Sequence, residues 1–243
     1  MQRLFLPAEQ FEGDIAQIVG SDNLHLVRVL RMRVGERLIL LDNRGSAWVA
    51  VLETVEKSAS RARLEAPAPL PQEPRLRITV AQAMGKGDKL EQVIQHGVEI
   101  GASHFVPLET ERGVVSFSPE RAKEKLTRWS QIAKSAAEQS GRLFLPTVSA
   151  AMRFKDWATQ AETPTLLLHT DPHAMTLRAY LEGLQSLPTC LTLAVGAEGG
   201  WTPAEAEFAK GFHIATVRLN TPVLRTETAA LAAISQIRYH FEG

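Results

Sequence analysis

The sequence is poor in cysteine, in net charge and in long apolar runs. Its 243 residues contain one cysteine, which excludes a disulfide framework and a cysteine-rich zinc site and fits a reducing compartment. No apolar run approaches the roughly 20 residues of a membrane helix. Residues 1–14 carry four charged side chains where a secretory signal would be apolar. We therefore expect a cytoplasmic protein with no membrane partner.

The net charge of the chain is zero, because 27 basic residues balance 27 acidic ones, but these charges are unevenly distributed along the sequence. Residues 112–155 hold nine basic and three acidic side chains, and residues 25–44 hold five and two. Residues 156–213 reverse the balance, with two basic and seven acidic. Because salt screens charges over roughly 8–10 Å, a polyanion responds to such local patches. The two basic segments favour contact with nucleic acid, and solvated helix faces are the alternative.

Four prolines at 67–74 mark a boundary. Proline fixes φ and lacks an N–H, so this stretch fits neither a helix interior nor a central strand. We predict a linker at 67–75 between one domain at 1–66 and another at 76–243.

The first domain has β character, with a short helix for which Asp22 is the expected N-cap. A segment this small buries little core, which favours a compact barrel. The patterns of residues 35–41, 47–55 and 61–64 predict strands, with turn residues at 42–45.

Strands and helices alternate after the linker, which predicts a parallel α/β sheet with helices on both faces. Ligands of such sheets bind beyond the carboxyl ends of strands. This directs attention to the loops after 190–195 and 214–219. The predicted strands are 76–81, 103–108, 165–168, 190–195 and 214–219, and the predicted helices are 87–101, 118–140, 174–184, 203–210 and 226–240.

The loop after 190–195 reads GAEGGWTP and leads into a helix. Thr202 and Glu205 predict a capping box, and Pro203 suits the first helical position. Three glycines in five residues let the backbone approach a ligand closely, although turn geometry alone also uses them. The loop matches neither a Walker motif nor G-x-G-x-x-G.

The loop after 214–219 ends in Arg225, Thr226, Glu227 and Thr228 before an alanine-rich helix. Together the two loops suggest a pocket that offers mostly backbone groups, and a capped helix with a surface ion pair is the alternative. The stretch GKGDK at 85–89 resembles a phosphate cradle, although a helix start explains it more simply. The seven histidines show no metal-binding spacing, and no G-x-S-x-G elbow is present.

The two loop sequences, VGAEGGWTPAEAEFA and LRTETAALAA, resemble the signature of the RsmE family. These are knotted SPOUT-class methyltransferases that act on small-subunit ribosomal RNA. Further stretches resemble family blocks in the same order, so the likeness covers nearly the whole chain. They include RLFLP, HLVRVLRMRVGE, KGDKLEQVIQHGVEIGASHFVPLETERGVV and WSQIAKSAAEQSGR.

The resemblance implies an α/β fold: an N-terminal PUA-like β-barrel, then a SPOUT-type parallel-sheet α/β domain with a deep C-terminal trefoil knot at about 190–240. It implies a homodimer that transfers a methyl group from S-adenosyl-L-methionine to N3 of a specific uridine in 16S rRNA of the small ribosomal subunit, without a metal. Rival readings are a SPOUT enzyme for a tRNA base or a ribose 2′-OH, a non-catalytic RNA-binding assembly factor, and a nucleotide-binding metabolic enzyme.

By resemblance, the cofactor lies in the knot loops. The expected cofactor-binding positions are Gly196, Glu198, Gly199, Gly200, Leu219, Leu224 and Thr226. RNA contacts are expected from basic residues of both domains, namely Arg28, Arg31, Arg33, Arg121, Lys125, Arg128 and Arg142.

The chemistry adds catalytic candidates. Uracil N3–H is mostly neutral at pH 7, so its proton must leave before or during methyl transfer, and a cation near O2 or O4 would stabilise the anion. Arg112 and Arg225 are the candidates for this role. Glu198 is a candidate either for accepting the proton or for binding the cofactor's amino group. Structural salt bridging is the alternative for all three.

Three positions depart from the family pattern. Ala197 stands where proline is common, Gly113 where serine often follows arginine, and His96 where lysine is expected. The first should only loosen the loop, whereas the other two concern the RNA side or catalysis.

Overall fold

The structure is a computed structural model that describes residues 1–113, 117–162 and 164–242. It divides into two compact units. The first consists of Met1–Glu73 and Ala137–Leu145, and the second of the described residues within Pro74–Ala136 and Pro146–Gly243.

The first unit is built on a curled six-stranded sheet in the order β1-β4-β5-β6-β3-β2. Strands β1 and β4 pair in parallel, and all other pairs are antiparallel. The strands are β1 (Gln2–Phe5), β2 (Phe11–Glu12), β3 (Ile15–Val19), β4 (Arg37–Leu41), β5 (Ala47–Val55) and β6 (Ala59–Pro67). Alternate residues such as Ile18, Leu38 and Leu40 are fully buried in a shared core, as expected for a sheet with one covered face.

The short helix of this unit, α1 (Gly20–Leu24), begins earlier than predicted. Asp22 is therefore not its N-cap, because Val19 holds that position in extended conformation and no side chain caps the helix. Asp22 lies in the first turn, where a carboxylate still interacts favourably with the helix dipole. A π-helical turn at His25–Val29 follows.

The second unit contains an eight-stranded, wholly parallel sheet. Its order is β10-β8-β7-β13-β11-β14-β12, with β9 also paired to β8. The strands are β7 (Arg77–Ala83), β8 (Ala102–Glu109), β9 (Thr147–Val148), β10 (Met152–Arg153), β11 (Thr165–Leu168), β12 (Met175–Thr176), β13 (Cys190–Val195) and β14 (Ala215–Arg218). The helices are α2 (Lys89–Glu99), α3 (Pro119–Ser140), α4 (Phe154–Ala158), α5 (Leu177–Glu182), α6 (Pro203–Gly211) and α7 (Thr226–Glu242), and the last residues of α3 count with the first unit.

Helices cover both faces of this sheet. Leu166 and Leu167 are consecutive in β11 and so point to opposite faces, yet both are fully buried. Helices α4 and α6 contact each other, and α7 contacts both α2 and α5. A sheet covered on both sides explains why its strands read as continuous apolar runs.

The five strands and five helices predicted after the linker are all present, with ends within three residues of the prediction. In this second unit the elements that the sequence did not indicate are β9, β10, β12 and α4, which have two to five residues each, and in the first unit they include β1, β2 and β3. Such short pieces hold too few residues to show a period. Among the described residues, no helix is both long enough and apolar enough to span a bilayer.

Candidate active site

A cavity of about 810 Å³ opens where three neighbouring strands of the second unit end. Strands β13, β11 and β14 are adjacent in the sheet, and the residues that follow each of them form its wall. All nine residues predicted for catalysis or cofactor binding line it: Arg112, Gly196, Glu198, Gly199, Gly200, Leu219, Leu224, Arg225 and Thr226.

The first loop, residues 196–202, is fixed by its own tryptophan. Trp201 is 4% exposed, and its indole Nε1 donates to the Leu168 carbonyl at 2.9 Å. Its ring lies 4.8 Å from that of Phe154, centroid to centroid. The loop is thereby attached to the end of β11 and to the hydrophobic cluster that contains Phe154 and Trp201.

The predicted capping box is present where this loop enters α6. Glu205 N–H donates to Thr202 Oγ1 at 3.2 Å, and Thr202 N–H donates to the Glu205 carboxylate at 2.8 Å. The same buried carboxylate accepts from the N–H of Glu111 at 2.9 Å. One side chain therefore joins the first loop to the loop after β8.

Arg112 reaches the first loop from the end of β8. Its guanidinium donates to the Gly199 carbonyl at 2.6 Å and to the Trp201 carbonyl at 3.3 Å. A Cβ at Gly199 would lie 3.1 Å from Arg112 Cδ. A larger residue at this position would crowd the arginine side chain, a contact that the sequence did not reveal.

Glu198 forms an ion pair. Lys89 Nζ, at the start of α2, lies 2.5 Å from the Glu198 carboxylate. This hydrogen bond lowers the pKa of Glu198, and N–H groups of Glu198 itself and of Lys86 act in the same direction, while desolvation opposes them. An ionised, paired carboxylate is a weak proton acceptor, so this geometry disfavours the role of base for Glu198.

The second loop, residues 219–225, is held at its end. Thr226 opens α7, and its hydroxyl donates to the Gly196 carbonyl at 2.5 Å while accepting from Gln82 Nε2 at 2.9 Å. Before that point the loop is open, with Val223 81% exposed and Arg225 also exposed. The hydrogen bond from the buried Thr226 hydroxyl to the Gly196 carbonyl thus joins the two loops.

Comparison with known proteins places the chain in a family. RNA methyltransferase domains match residues 71–238, and RNA methyltransferase PUA domains match residues 22–65. The chain is similar to the ribosomal RNA small subunit methyltransferase E of Bacillus subtilis, with 33% identity over 100% of this chain and 98% of that protein. Its identity with the protein of the same name from Synechocystis is 36%, over 99% and 78%.

The chain belongs to the RsmE family of RNA methyltransferases. A solved structure supports this: the family member from Neisseria gonorrhoeae, bound to S-adenosyl methionine, superposes with a TM-score of 0.86 at 30% identity, covering 98% of this chain and 97% of that one. The expected PUA-like sheet and parallel α/β domain of an RsmE protein are both present. The trefoil knot stays a prediction.

The basic residues expected to contact RNA differ in their surroundings. Arg28, Arg31 and Arg33 of the first unit are exposed. On α3, Lys125 and Arg128 both pair with Glu91, at 3.4 and 2.6 Å. The remaining residue of that helix face, Arg121, is exposed and lies over the ring of Phe117 at 5.7 Å.

Arg142 differs from the other basic residues of this set. It is 8% exposed, and its Nε lies 2.9 Å and its terminal nitrogen 2.8 Å from Glu73 Oε2, within the first unit. Glu73 also accepts from the N–H of Leu143 at 2.5 Å. A buried guanidinium paired in this way holds two chain segments together, which disfavours a contact with RNA, and the role of Arg142 stays a prediction.

The three positions that depart from the RsmE pattern have different surroundings. Ala197 is 5% exposed and fills its site without the proline ring. A Cβ at Gly113 would lie 2.7 Å from Thr110 Oγ1 and 2.9 Å from the Met84 carbonyl, so a serine does not fit this backbone. His96 is exposed and lies 3.1 Å from Glu99, in the next turn of α2.

Three charged or titratable cavity residues were missed by sequence reasoning: Lys89, His169 and Arg218. His169 follows β11, whose end was not considered although it is as much a strand end as the other two. Lys89 closes the GKGDK stretch, for which a helix start is the simpler explanation from the sequence alone. In the described part of the chain, no group of three histidine, cysteine, aspartate or glutamate side chains is arranged to hold a metal ion.

Proposed function

We propose that this protein methylates N3 of one uridine of 16S rRNA in the small ribosomal subunit, with S-adenosylmethionine as methyl donor. The observation that carries the proposal is the single cavity that gathers all nine predicted catalytic and cofactor positions. The relatives' name, ribosomal RNA small subunit methyltransferase E, supports the RNA substrate.

The cavity residues fit S-adenosylmethionine. The volume lies within the roughly 300–1,000 Å³ of small-molecule sites. Val195, Leu219 and Leu224 would provide apolar contacts for the cofactor. At Gly200, with φ +66°, nothing lies within 4 Å of an added Cβ, so the backbone there is open to a ligand. When bound, the cofactor supplies a methyl group on a positively charged sulfur.

The charges around the cavity suit the loss of a proton from uracil. Four cations line it, Lys89, Arg112, Arg218 and Arg225, against the single carboxylate of Glu198. A positive, partly enclosed site lowers the free energy of an anion formed inside it. Arg225 is exposed at the mouth, where it can meet a uracil carbonyl oxygen, and Arg112 borders the same space.

The exposed arginines of the first unit and the basic face of α3 would hold the RNA by its phosphates. Glu91 offsets one of the two charges of Lys125 and Arg128, so this face keeps a net positive charge. The resemblance to the RsmE family implies that the protein acts in the cytoplasm as a homodimer. Sedimentation of the purified protein would test whether it forms a dimer.

The test is methylation of small ribosomal subunits from cells that lack this protein, followed by mass mapping of 16S rRNA. The wild-type protein should add one methyl group at N3 of one uridine. Arg225→Ala should lower the transfer rate about 100-fold, the usual cost of losing one stabilising donor. Arg178→Ala is the matched control, because Arg178 is exposed and pairs with Glu182 on α5.

Other outcomes would point elsewhere. Methylation of a ribose 2′-OH or of tRNA would replace the proposed substrate with another RNA. RNA binding without any calorimetric signal for S-adenosylmethionine would identify a non-catalytic RNA-binding factor instead.

A further inference from the structure

Two cations contact neighbouring residues of the cavity wall. Arg112 donates to the carbonyl of Gly199, and Lys89 donates to the carboxylate of Glu198. Both cations line the cavity. Lys89 comes from the GKGDK stretch at 85–89, which opens another of the blocks that resemble the RsmE family.

The Glu198 carboxylate is held from two sides. A Cβ at Gly85 would lie 2.6 and 2.8 Å from its two oxygens, so the backbone of Gly85 closes one side. Lys89 Nζ closes another at 2.5 Å. The side chains of Lys89 and Glu198 are 29% and 41% exposed, so the pair lies at the border between cavity and solvent. A fixed carboxylate in turn fixes the position of the ammonium.

The chemistry of uracil defines what such an ammonium can do. Loss of the N3 proton leaves a charge shared by O2, N3 and O4. N3 itself must stay open toward the methyl carbon, so stabilising donors have to approach the flanking oxygens. Donors already in place before the reaction are the most effective, because no reorganisation is needed.

We propose that Lys89 is a catalytic residue whose ammonium, oriented by Glu198, stabilises the uracil anion at a carbonyl oxygen beside N3. The inference rests on the proposed N3 methylation. N3 loses its proton to solvent, and the electron pair left on N3 forms the bond to the methyl carbon. The pair of the broken carbon–sulfur bond stays on sulfur, giving a thioether and 3-methyluridine. Glu198 serves as the positioning residue for Lys89.

The test compares Lys89→Met with the wild type on RNA that carries uridine or 5-fluorouridine at the target position. Fluorine withdraws electrons and makes the N3–H more acidic, so less help is needed to form the anion. On uridine at pH 7, the single-turnover rate of Lys89→Met should fall about 100-fold, and its pH–rate profile should move to higher pH. On 5-fluorouridine, most of the loss should disappear.

Controls separate this role from a structural one. Lys210→Met is the matched variant, because Lys210 also pairs with a glutamate, Glu207 at 3.0 Å, but lies outside the described cavity lining. It should behave as the wild type. Lys89→Arg keeps a cation and should lose less than Lys89→Met. Calorimetry should show that Lys89→Met binds S-adenosylmethionine as the wild type does. Glu198→Gln should show the same preference for 5-fluorouridine as Lys89→Met, to a smaller degree.

The proposal is overturned if Lys89→Met and Glu198→Gln slow both substrates by equal factors with unmoved pH profiles, while N3 methylation by the wild type still stands. If the wild type leaves N3 unmethylated, the proposed function fails first, and the role of Lys89 falls with it.

Discussion

The loop at 196–202 is held by side chains from several parts of the second unit, whereas the loop at 219–225 is held mainly where it meets α7. Trp201, Arg112 and Lys89 each attach the first loop to another element. In the second loop, residues 220–223 are all exposed. The first loop is thus shaped before any ligand arrives, and the second has fewer contacts to lose when a ligand reshapes it.

This difference assigns different work to the two loops. Preorganised groups are the ones that stabilise a developing charge efficiently, which suits the first loop with its neighbouring cations. An exposed loop over a cavity suits entry of the cofactor and contact with RNA. Mutations in the first loop should therefore affect folding and chemistry together. Mutations in the second loop, Arg225→Ala included, should affect ligand binding or transfer with little change in stability.

The sharpest test of the comparison is the removal of the buried indole. Trp201→Ala should lower the free energy of unfolding by about 3–5 kcal/mol, because it empties a core site and leaves the Leu168 carbonyl without its donor. Val223→Ala, at an 81% exposed position of the second loop, should change it by less than about 0.5 kcal/mol. Urea denaturation measures both. Equal small effects would mean that the first loop is not preorganised.

The junction of the loops gives the next largest effect. Thr226→Val keeps the shape of the side chain but removes the hydroxyl that bonds Gly196 and Gln82. The Gly196 carbonyl then loses the hydroxyl as its donor, and the Gln82 amide keeps only its bond to the Ala83 carbonyl, at a cost of about 1–3 kcal/mol in unfolding free energy. Thr228→Val, exposed in the same turn of α7, is the control and should be nearly neutral. Equal stabilities of the two variants would contradict a locked junction.

The smallest effect should come from the ion pair. Because Lys89 lowers the pKa of Glu198 in the folded protein, the pair contributes stability above the ordinary carboxyl pKa. That contribution is lost as the pH falls through the lowered value. Partial exposure limits it to less than about 1 kcal/mol. The difference in unfolding free energy between wild type and Glu198→Gln should therefore shrink on acidification and in high salt. A difference that does not vary with pH would exclude the ion pair as its source.

The pattern of neighbouring residues in the sequence was sufficient to predict the larger strands and helices of the second unit. Strands at 165–168 and 190–195 were predicted with their observed ends, since each is an apolar run bounded by turn residues. The capping box at Thr202 was also predictable, because it depends on residues three apart in one turn. By contrast, the start of α1 was misplaced at Asp22, because no side chain caps that helix.

Pairs between distant residues were not predictable in this way. Arg142 and Arg28 look alike in the sequence, yet Arg142 is buried against Glu73 and Arg28 is exposed. Gly199 looked like a place for a ligand to approach, and the structure shows that Arg112 occupies the space beside it. Both outcomes depend on which segments meet in three dimensions.

The sequence by itself determined the alternation of strands and helices, the two loops beyond the sheet and the family to which they belong, because these depend on neighbours along the chain. Only the tertiary structure decided which charged side chains are paired with one another and which line the cavity. It paired Arg142 with Glu73 and Glu198 with Lys89. It also brought Lys89 into the cavity beside Glu198, which lies more than a hundred residues away in the sequence. Electrostatic energy depends on distance in space and on burial, and neither is written in the order of the residues.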